Sequence, residues 1–395
     1  MPDGVPSSKL NAIFYPQSIA VVGASSRPGT VGNDIFRNLL FSGFNGTVYP
    51  VNIKATSILG VHAYPSLAAI PGPVDQAILI VPSAMVLDTV DQAIAKGVKG
   101  LVVISAGFKE TGAEGAALEK ALRDKVQKAG IPLIGPNCLG VINADPAYPM
   151  NGAFGRKMPS SGTLAFLSQS GALCTSVLDY AEDRQIGFSK FVSFGNKADV
   201  SEIDLLEYLA NDVKTSVISM YLEDITNGRR FIETAQQIFW KTGKIILCLK
   251  SGRSPEGAKA VSSHTGSLAG SDSVYDALLI QGGVQRVDTI AELFDLAAFY
   301  TTQPLPRGNR VAIITNAGGP GIMATDAAVR NGLKLAELSE ATQQKLRQAL
   351  PSTASVRNPV DVIGDAHADR YEAAVRTVMA DEGVDMGLVI LTPQS

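Results

Sequence analysis

The sequence predicts an α/β fold in which parallel β-sheets are covered by helices on both faces. A short, almost continuous apolar run, then a Gly or Ser turn, then an amphipathic stretch recurs along the whole chain. Apolar residues on both faces are typical of strands that are buried from both sides. The length, 395 residues, leaves room for two or three domains. Hydrophobic residues make up 46% and charged residues 18%, which favours large buried cores over disorder.

The first series contains five predicted strands and the helices that connect them. The clearest helical stretch is 86–97, where Val86, Val90 and Ile94 recur at helical spacing. Strand, helix and strand in repetition indicate a parallel sheet with right-handed crossovers. The predicted strands of this series are SIAVVGA (18–24), TVYPVN (47–52), QAILIVP (76–82), GLVVIS (100–105) and PLIG (132–135).

The same series begins again twice, after the Pro-, Gly- and Ser-rich segments 145–162 and 301–309. We therefore predict boundaries near residues 150 and 305, which give domains 1–150, 151–305 and 306–395. The final strand has no helix after it, so we expect the third domain to be incomplete at its C-terminus or to need a partner. The predicted strands here are TLAFLS (163–168), FSKFVSFG (188–195), TSVISMYLE (215–223), KIILCLK (244–250), RVAIITNA (310–317) and MGLVILTP (386–393).

Charge and composition argue against several classes of protein. Lys plus Arg is 34 and Asp plus Glu is 37, a net charge of −3, which is a poor match for nucleic-acid backbones. No apolar run approaches the roughly 18 residues that cross a bilayer, and the N-terminus lacks a signal pattern. We therefore expect a cytoplasmic protein without a membrane or nucleic-acid partner. Cys138, Cys174 and Cys248 show no metal-ligand spacing, so no metal site is predicted.

The first candidate site is VVGASSRPGTVG, a Gly/Ser turn between the first strand and the next helix. Such a turn allows backbone N–H groups to approach a pyrophosphate at a helix N-terminus. The spacing departs from G-x-G-x-x-G, because Gly23 is followed by Ser25 and Pro28 where glycines would stand. The second strand ends at Asn52 and Lys54 follows, so the carboxylate that binds the NAD ribose is missing. A plain βα turn is the alternative, and if a nucleotide binds, NADP or coenzyme A fits better than NAD.

The second candidate site is a strand-to-helix turn formed by Ser168, Gln169, Ser170 and Gly171. Small hydroxyl residues at a helix start leave N–H groups for an anion, and charge there is stabilised by about 0.3–1 kcal/mol when exposed. A helix N-cap serine is the structural alternative. A serine nucleophile is a second alternative, but that elbow requires glycines at both flanks, which are absent here.

His264 is the strongest candidate among the three histidines. It lies in SSHTGS, a small, polar segment that suits a mobile loop better than a core. Neutral imidazole accepts a phosphoryl group at physiological pH, and it needs a carboxylate on its other nitrogen. Glu223, at the end of a predicted strand, stands where such groups are placed. A solvated loop histidine is the alternative, and His62 and His367 lack a comparable setting.

The third candidate is NAGGPGIMATDA, again a strand, a glycine-rich turn and a helix. Gly318, Gly319 and Gly321 free the backbone for a second anion cradle. The G-K-[ST] ending of a P-loop is absent. The segment NPVDVIGDA (358–366), alone, indicates a structural turn.

Together these motifs resemble the NDP-forming acyl-CoA synthetase family, which includes succinyl-CoA synthetase and the ADP-forming acetate–CoA ligases. VVGASSRPGTVG, YPVNIK and GPNCLG resemble the CoA-binding segments, SQSGAL and NAGGPGIMATDA the phosphate-binding helices, and SSHTGS the phosphohistidine loop. The resemblance covers essentially the whole chain, in order. It implies an N-terminal Rossmann-like CoA-binding domain followed by two flavodoxin-like parallel-sheet domains.

The resemblance also implies roles for individual residues. His264 is expected to be phosphorylated and Glu223 to orient its imidazole. The expected CoA-binding residues are Gly23, Ala24, Ser25, Val51, Asn52, Lys54, Val81, Pro82, Ser105 and Asn137. The expected phosphate-binding residues are Ser168, Gln169, Ser170, Gly171, Ala172, Gly318, Gly319 and Gly321.

The implied activity is an acid–thiol ligase that interconverts carboxylate, CoA and ATP with acyl-CoA, ADP and phosphate through an acyl phosphate. An ATP-grasp domain is not found in this sequence, so ATP/ADP and Mg²⁺ are expected only on an ATP-grasp domain or β subunit elsewhere, in an oligomer. Leu139 replaces the second proline of the family's G-P-N-C-P-G, and the acyl group stays open.

Three other functions compete with the ligase. The first is the CoA- or acyl-CoA-sensing regulatory region of a protein acetyltransferase, and retention of His264 and Glu223 favours the enzyme. The others are an NADP-dependent oxidoreductase built on the first domain and a serine hydrolase.

Overall fold

In the computed structural model, residues 7–155, 157–265 and 271–393 are described, with residues 262–265 as backbone only. The chain forms two compact units, Met1–Gln303 and Pro304–Ser395, and each is described by itself. No described helix has the length and apolar character that a membrane crossing requires.

The first sheet of the first unit contains five parallel strands in the order β2-β1-β5-β6-β7. Its central strands are fully buried, as continuous apolar runs require. The strands are β1 (Ser18–Val22), β2 (Thr47–Val51), β5 (Gln76–Leu79), β6 (Gly100–Val103) and β7 (Leu133–Ile134), with a small hairpin of β3 (Ser57–Ile58) and β4 (Val61–His62). The helices are α1 (Asn11–Phe14), α2 (Val31–Phe41), α3 (Ser83–Lys96) and α4 (Ala113–Ala129), with 3₁₀ turns at Leu67–Ala69 and Lys109–Thr111.

The strand order of this sheet reverses between β1 and β5, because the chain first adds β2 on one side and then β5 to β7 on the other. The registers pair Val22 with both Val51 and Leu79, and Leu79 with Val103. The carboxyl ends of these strands therefore lie at one edge, where a doubly wound sheet binds its ligand.

The second sheet contains seven strands in the order β14-β13-β12-β10-β11-β8-β9. Five strands are parallel, and four of them, β10 to β13, were predicted from the sequence. The short parallel strand β14 and the antiparallel hairpin of β8 and β9 were not predicted. The boundary near residue 150 lies at β9 and stays a prediction. The strands are β8 (Gly140–Asn143), β9 (Met150–Ala153), β10 (Ser161–Ser168), β11 (Phe188–Ser193), β12 (Val217–Leu222), β13 (Ile245–Lys250) and β14 (Gln285–Val287).

Six helices accompany this second sheet. Its hydrophobic core lies on both faces, with large buried side chains such as Phe166, Phe191 and Phe294 on one of them. The helices are α5 (Gly171–Asp183), α6 (Glu202–Ala210), α7 (Gly228–Thr242), α8 (Pro255–Thr265), α9 (Asp272–Gly282) and α10 (Ile290–Thr302).

The second unit has a four-stranded parallel sheet with β15 at its centre. One side of β15 pairs with β18 over five residues, and the other side pairs with β16 near its start and with β17 at its end. The strands are β15 (Arg310–Thr315), β16 (Lys334–Leu335), β17 (Val360–Asp361) and β18 (Met386–Ile390), and the helices are α11 (Gly318–Arg330), α12 (Glu340–Ala349) and α13 (Ala368–Met379).

Asn358 bridges the gap that β16 and β17 leave beside β15. Its Oδ1 accepts from the N–H of Ile313 at 2.9 Å, and its Nδ2 donates to the carbonyl oxygens of Val311 and Ala336 at 2.8 and 3.0 Å. The side-chain amide therefore does what a strand backbone would do there. This agrees with the structural role predicted for segment 358–366.

The cysteine thiols are all buried and free of disulfides. Burial raises the pKa of Cys174 and of Cys248 to about 12, and it raises the pKa of Cys138 further. No cluster of three or more His, Cys, Asp or Glu side chains suits a metal ion in the part of the chain that is described.

Candidate active site

Gly23 forms the first corner of the candidate cofactor site, immediately after β1. Its φ of +97° is a conformation that residues with a side chain rarely adopt, and a Cβ there would lie 2.4 Å from the carbonyl oxygen of Ile80. Gly32 in α2 approaches as closely, since its Cβ would lie 2.1 Å from the carbonyl oxygen of Gly23. The turn and the helix start are thus brought against the strand end at a distance that only glycine allows.

Asn52 holds this turn against the end of β2. Its Nδ2 donates to the carbonyl oxygen of Ala24 at 2.8 Å, while its Oδ1 accepts from the N–H groups of Lys54 and Ala55. The Asn52 side chain therefore links the turn after β1 to the turn after β2. Ser25 is held on the other side, where its carbonyl oxygen accepts from Asn33 at 2.9 Å.

The remaining predicted cofactor residues continue along the same edge of the sheet. Ser105 Oγ donates to the carbonyl oxygen of Val81 at 2.5 Å, and the N–H of Asn137 donates to the carbonyl oxygen of Ser105 at 2.9 Å. Pro82 follows Val81 and is the N-cap residue of α3. The fold thus gathers at one edge the residues that the sequence predicted for CoA.

Lys54 is exposed beside this edge, so its ammonium is accessible to a ligand in solvent. Together with the Gly23 corner and the start of α2, it supplies a backbone cradle and one cation. Those groups fit a ligand that carries a pyrophosphate and a further phosphate, as CoA does.

The second candidate turn joins β10 to α5 and is closed by a serine hydroxyl. Ser168 Oγ donates to the carbonyl oxygen of Ser170 at 2.9 Å and accepts from its N–H at 3.0 Å. Ser170 in turn caps α5 by accepting from the N–H of Leu173 at 3.3 Å. The N–H groups of Gly171 and Ala172 lie in the first turn of α5, where backbone N–H groups have no acceptor within the helix and can bind an anion.

The Gln169 side chain turns inward from this loop. Its Oε1 accepts from the N–H groups of Glu223 at 2.6 Å and of Asp224 at 3.2 Å, and its Nε2 donates to Asp224 Oδ1 at 2.8 Å. The predicted phosphate turn and the predicted Glu223 are therefore in direct contact. Glu223 is buried at the carboxyl end of β12, with 6% of its surface exposed.

His264 belongs to helix α8, and its imidazole lies outside the described residues, as do Gly266 and Ser267 of the same motif. The helix packs against the turn Lys109–Thr111, which follows β6 of the first sheet. Helix α8 therefore lies on the side of the unit on which the predicted cofactor residues lie. Contact between His264 and Glu223 stays a prediction.

The third candidate turn, in the second unit, is built in the same way as the second. Thr315 Oγ1 donates to the carbonyl oxygen of Ala317 at 3.0 Å and accepts from its N–H at 3.1 Å. Gly318 and Gly319 are exposed at the start of α11, with no atom within 4 Å of a Cβ at Gly319. A Cβ at Gly321 would lie 3.0 Å from Thr315 Cγ2. The predicted meeting of this turn with the α5 turn across a phosphohistidine stays a prediction.

Three charged residues at these turns were not predicted from the sequence. Lys197 and Asp224 form a buried ion pair next to Gln169, and Asp361 lies with its Oδ2 3.9 Å from the Cβ position of Gly318. Each follows or ends a strand, so a search for charged residues at strand ends would have found Asp224 and Asp361. Lys197 follows β11 in a turn with φ of +50°.

Comparison with known proteins gives three family-model matches along the chain, in the order of its three sheets. They are a CoA binding domain over residues 17–144, a succinyl-CoA ligase like flavodoxin domain over 161–300, and a Ligase-CoA domain over 311–391. These matches define a class of CoA ligases that combine a CoA-binding sheet with two ligase sheets.

Relatives within that class are close. The chain is 46% identical over 384 residues to acetate–CoA ligase [ADP-forming] I of Archaeoglobus fulgidus, covering 97% of this chain and 55% of that protein. It is 45% identical to the α subunit of acetate–CoA ligase [ADP-forming] II of Pyrococcus furiosus, covering 96% and 82%. Its structure matches that of the Candidatus Korarchaeum cryptofilum dinucleotide forming acetyl-coenzyme A synthetase 1, in complex with phosphate and ADP, with a TM-score of 0.92, 38% identity and coverage of 98% and 82%.

The chain belongs to the NDP-forming acyl-CoA synthetase family. Its alignment with an ADP-forming acetate–CoA ligase α subunit covers most of both chains. This confirms the family and the fold class predicted from the motifs. The chain spans about half the length of the single-chain relative and about four fifths of the α subunit.

Proposed function

We propose that this chain is the CoA-binding and phosphohistidine-carrying part of an acyl-CoA synthetase that forms a nucleoside diphosphate. One observation carries the proposal most directly. The anion turn at Ser168–Ala172 is tied through Gln169 to the buried Glu223, in the unit that also holds the helix with His264. That arrangement supplies a phosphoryl acceptor, a carboxylate and a helix N-terminus.

The proposed reaction has three steps. Phosphate attacks the acyl carbon of acyl-CoA, which yields acyl phosphate and free CoA. A nitrogen of His264 then attacks the phosphorus, and the carboxylate leaves. ADP finally takes the phosphoryl group, which forms ATP and restores the imidazole; the reverse direction makes acyl-CoA from ATP. Such transfers require positioning and charge stabilisation more than covalent chemistry from the protein.

The residues of the first sheet would hold CoA. Gly23 and the start of α2 present backbone N–H groups to its pyrophosphate, and Lys54 offers a cation to the additional phosphate. Asn52, Ser105 and Asn137 fix the loops that surround it through the hydrogen bonds given above. The match to a CoA-binding model over residues 17–144 supports this cofactor.

The α5 turn would hold the phosphoryl group. The N–H groups of Gly171 and Ala172 and the positive end of the α5 dipole stabilise a charge of about −1.5 to −2 without a lysine in the turn. Glu223 would accept a hydrogen bond from the N–H of the other imidazole nitrogen, which keeps the proton there and leaves the attacking nitrogen unprotonated. The α11 turn, with Gly318 and Gly319, would provide the same kind of donors in the second unit.

The nucleotide part of the reaction is proposed to lie elsewhere. ATP or ADP and Mg²⁺ would bind an ATP-grasp domain or a β subunit, in an oligomer, and the substrates would be a small carboxylate and its acyl-CoA. A cytoplasmic location belongs to the same proposal, and three buried cysteines without a disulfide are compatible with a reducing compartment.

Replacement of His264 tests the proposal. Wild-type chain incubated with acetyl-CoA and labelled phosphate should acquire an acid-labile phosphoryl group, and His264→Ala should acquire none while binding CoA with unchanged affinity in calorimetry. His367→Ala is the matched control, because His367 is exposed in the second unit and no role is proposed for it. A panel of acyl-CoA thioesters in the same assay identifies the acyl group.

Two results would contradict the proposal. Labelling of His264→Ala at the wild-type level would remove His264 from the reaction. CoA binding without labelling of the wild type by any thioester would favour the sensing function over the ligase.

A further inference from the structure

The ammonium of Lys197 is buried between two carboxylates beside the predicted active site. It lies 2.9 Å from Oε2 of Glu202 and 2.6 Å from Oδ1 of Asp224, and it also donates to the backbone carbonyl oxygen of Asp224 at 3.1 Å. A lysine has three N–H donors, so all of them are used. The Lys197 side chain is only 3% exposed, and charged groups are retained at such depth only when they are paired.

The Gln169 side chain binds the segment 223–224 as well. It accepts from the N–H groups of Glu223 and Asp224, and it donates to Asp224 Oδ1, the oxygen that also pairs with Lys197. The segment 223–224 is therefore held at its N–H groups by one side chain and at its carbonyl oxygen by another. We call Lys197, Asp224 and Gln169 the clamp.

The clamp is anchored on the cofactor side of the unit. The turn that carries Lys197 donates from Asn196 N–H to the Pro136 carbonyl oxygen at 2.9 Å and from Ala198 N–H to the Gly135 carbonyl oxygen at 3.0 Å. Gly135 and Pro136 directly precede Asn137, one of the residues proposed to bind CoA. The turn on the CoA side and the backbone of Glu223 are thus joined by one continuous set of hydrogen bonds.

We propose that Lys197 is a positioning residue that acts through Asp224 and Gln169 to fix Glu223, and so the orientation of the His264 imidazole. This inference rests on the proposed function. Lys197 does not touch the reacting atoms; it fixes the backbone from which the Glu223 carboxylate projects. Loss of such alignment by about 1 Å lowers a rate by as much as about a hundredfold.

Lys197 pairs with two carboxylates, Asp224 and Glu202, and replacing each of them in turn gives two matched variants. Asp224→Asn and Glu202→Gln each remove one negative charge from the Lys197 pair and preserve the shape of the side chain. Only Asp224 contacts Gln169, whereas Glu202 lies on α6 and has no hydrogen bond to Gln169 among the described contacts. A role limited to burial of a charge would affect both variants alike.

We expect the rate of His264 phosphorylation from acetyl-CoA and phosphate to fall about 10- to 100-fold in Asp224→Asn and to stay within about twofold in Glu202→Gln. The KM for acetyl-CoA should be unchanged in both, because the CoA-binding residues are intact. Equal losses of the phosphorylation rate in the two variants would overturn the proposal.

Hydrogen exchange provides a readout that does not depend on activity. The amide protons of Glu223 and Asp224 should exchange at least about tenfold faster in Asp224→Asn than in Glu202→Gln, because the clamp holds those N–H groups. Unchanged protection in both variants would overturn the clamp even if the enzyme is active. Faster exchange in Asp224→Asn in a chain that is never phosphorylated would support the clamp and reject the proposed function.

Lys197→Met tests the lysine itself, with Lys190→Met as control. Lys190 is equally buried in β11 of the same sheet and pairs with Asp212 at 3.2 Å, away from the clamp. Both variants should lose thermal stability, and only Lys197→Met should lose phosphorylation beyond its loss of folded protein. If the phosphorylation rate per folded molecule falls as much in Lys190→Met, Lys197 has no special role.

Discussion

Lys54 is the residue whose exposure matters most for the identity of the cofactor. Its side chain stands free in solvent beside a turn that only glycine can form, so its value lies in charge rather than in packing. The role proposed for Lys54 is to distinguish ligands by their phosphate groups. Binding measurements with ligands that differ by one phosphate can therefore test this role.

We expect Lys54→Ala to weaken CoA about three- to tenfold and dephospho-CoA by less than about twofold. One exposed charge-assisted contact to phosphate is lost, and tenfold corresponds to about 1.4 kcal/mol. Calorimetric titration with the two ligands measures the difference.

Lys99→Ala is the control for Lys54→Ala. Lys99 is also exposed, but it pairs with Asp75 ahead of the strands, at the amino edge of the same sheet. Its replacement should leave both affinities unchanged. Equal weakening of CoA and dephospho-CoA by Lys54→Ala would show that Lys54 does not contact the additional phosphate.

At the scale of elements, the second unit depends on a side chain that completes its sheet. Asn358→Ala would leave the N–H of Ile313 without its acceptor inside the sheet. A buried N–H without a partner costs about 1–3 kcal/mol. We therefore expect amide exchange over residues 310–315 to accelerate at least about fivefold, measured by mass spectrometry of peptides from that strand.

Asn331→Ala is the matched control for Asn358→Ala. Asn331 is exposed at the end of α11 and its side chain donates to Ala327 in the same helix. Its removal should change exchange in the strand by less than about twofold. An Asn358→Ala chain with wild-type exchange over 310–315 would show that the bridge adds nothing to stability.

Much of this element structure could be predicted, and the reason is physical. A parallel strand buried on both faces is written in the sequence as one apolar run, and the runs at 18–24, 76–82 and 163–168 became strands. The hairpin of β8 and β9 escaped prediction because Gly140–Asn143 and Met150–Ala153 have the Asn and Gly content of turns. They are strands because β8 pairs with β11 and β9 pairs with β8.

The candidate site also contains features that the sequence predicted and features that it did not. Backbone cradles were predictable, because a strand, a small-residue turn and a helix start are local features, as at Gly23 and Ser168. Contacts between side chains distant in sequence were not. Gln169 reaches Glu223 and Asp224 because β10 pairs with β12, and that register cannot be read from either strand alone. The contacts that form the clamp could therefore be found only in the structure.

At the scale of the whole molecule, the proposed CoA site and the helix that carries His264 belong to one compact unit, and the last sheet belongs to another. The hydrophobic clusters that support the CoA edge lie entirely before residue 303, and those of the last sheet lie after residue 310. CoA binding should therefore not depend on the second unit.

We expect a chain truncated after Gln303 to bind CoA with an affinity within about twofold of the full chain. It should lose phosphorylation of His264 if the α11 turn takes part, because Gly318 and Gly319 are removed. Calorimetry and the labelling assay measure the two quantities on the same preparation, and circular dichroism verifies that the truncated chain is folded. Loss of CoA binding by a folded truncated chain would show that the second unit contributes to the cofactor site.

The buried thiols have a practical consequence for spectroscopy. Because Cys138, Cys174 and Cys248 are enclosed and their pKa values are raised, few thiolates are available to react with a maleimide dye at neutral pH. A cysteine introduced at the exposed Glu256, at the start of α8, would then carry a fluorophore selectively. The fluorescence of that label would report changes around α8, the helix that carries His264, during the labelling reaction, without first removing the native cysteines.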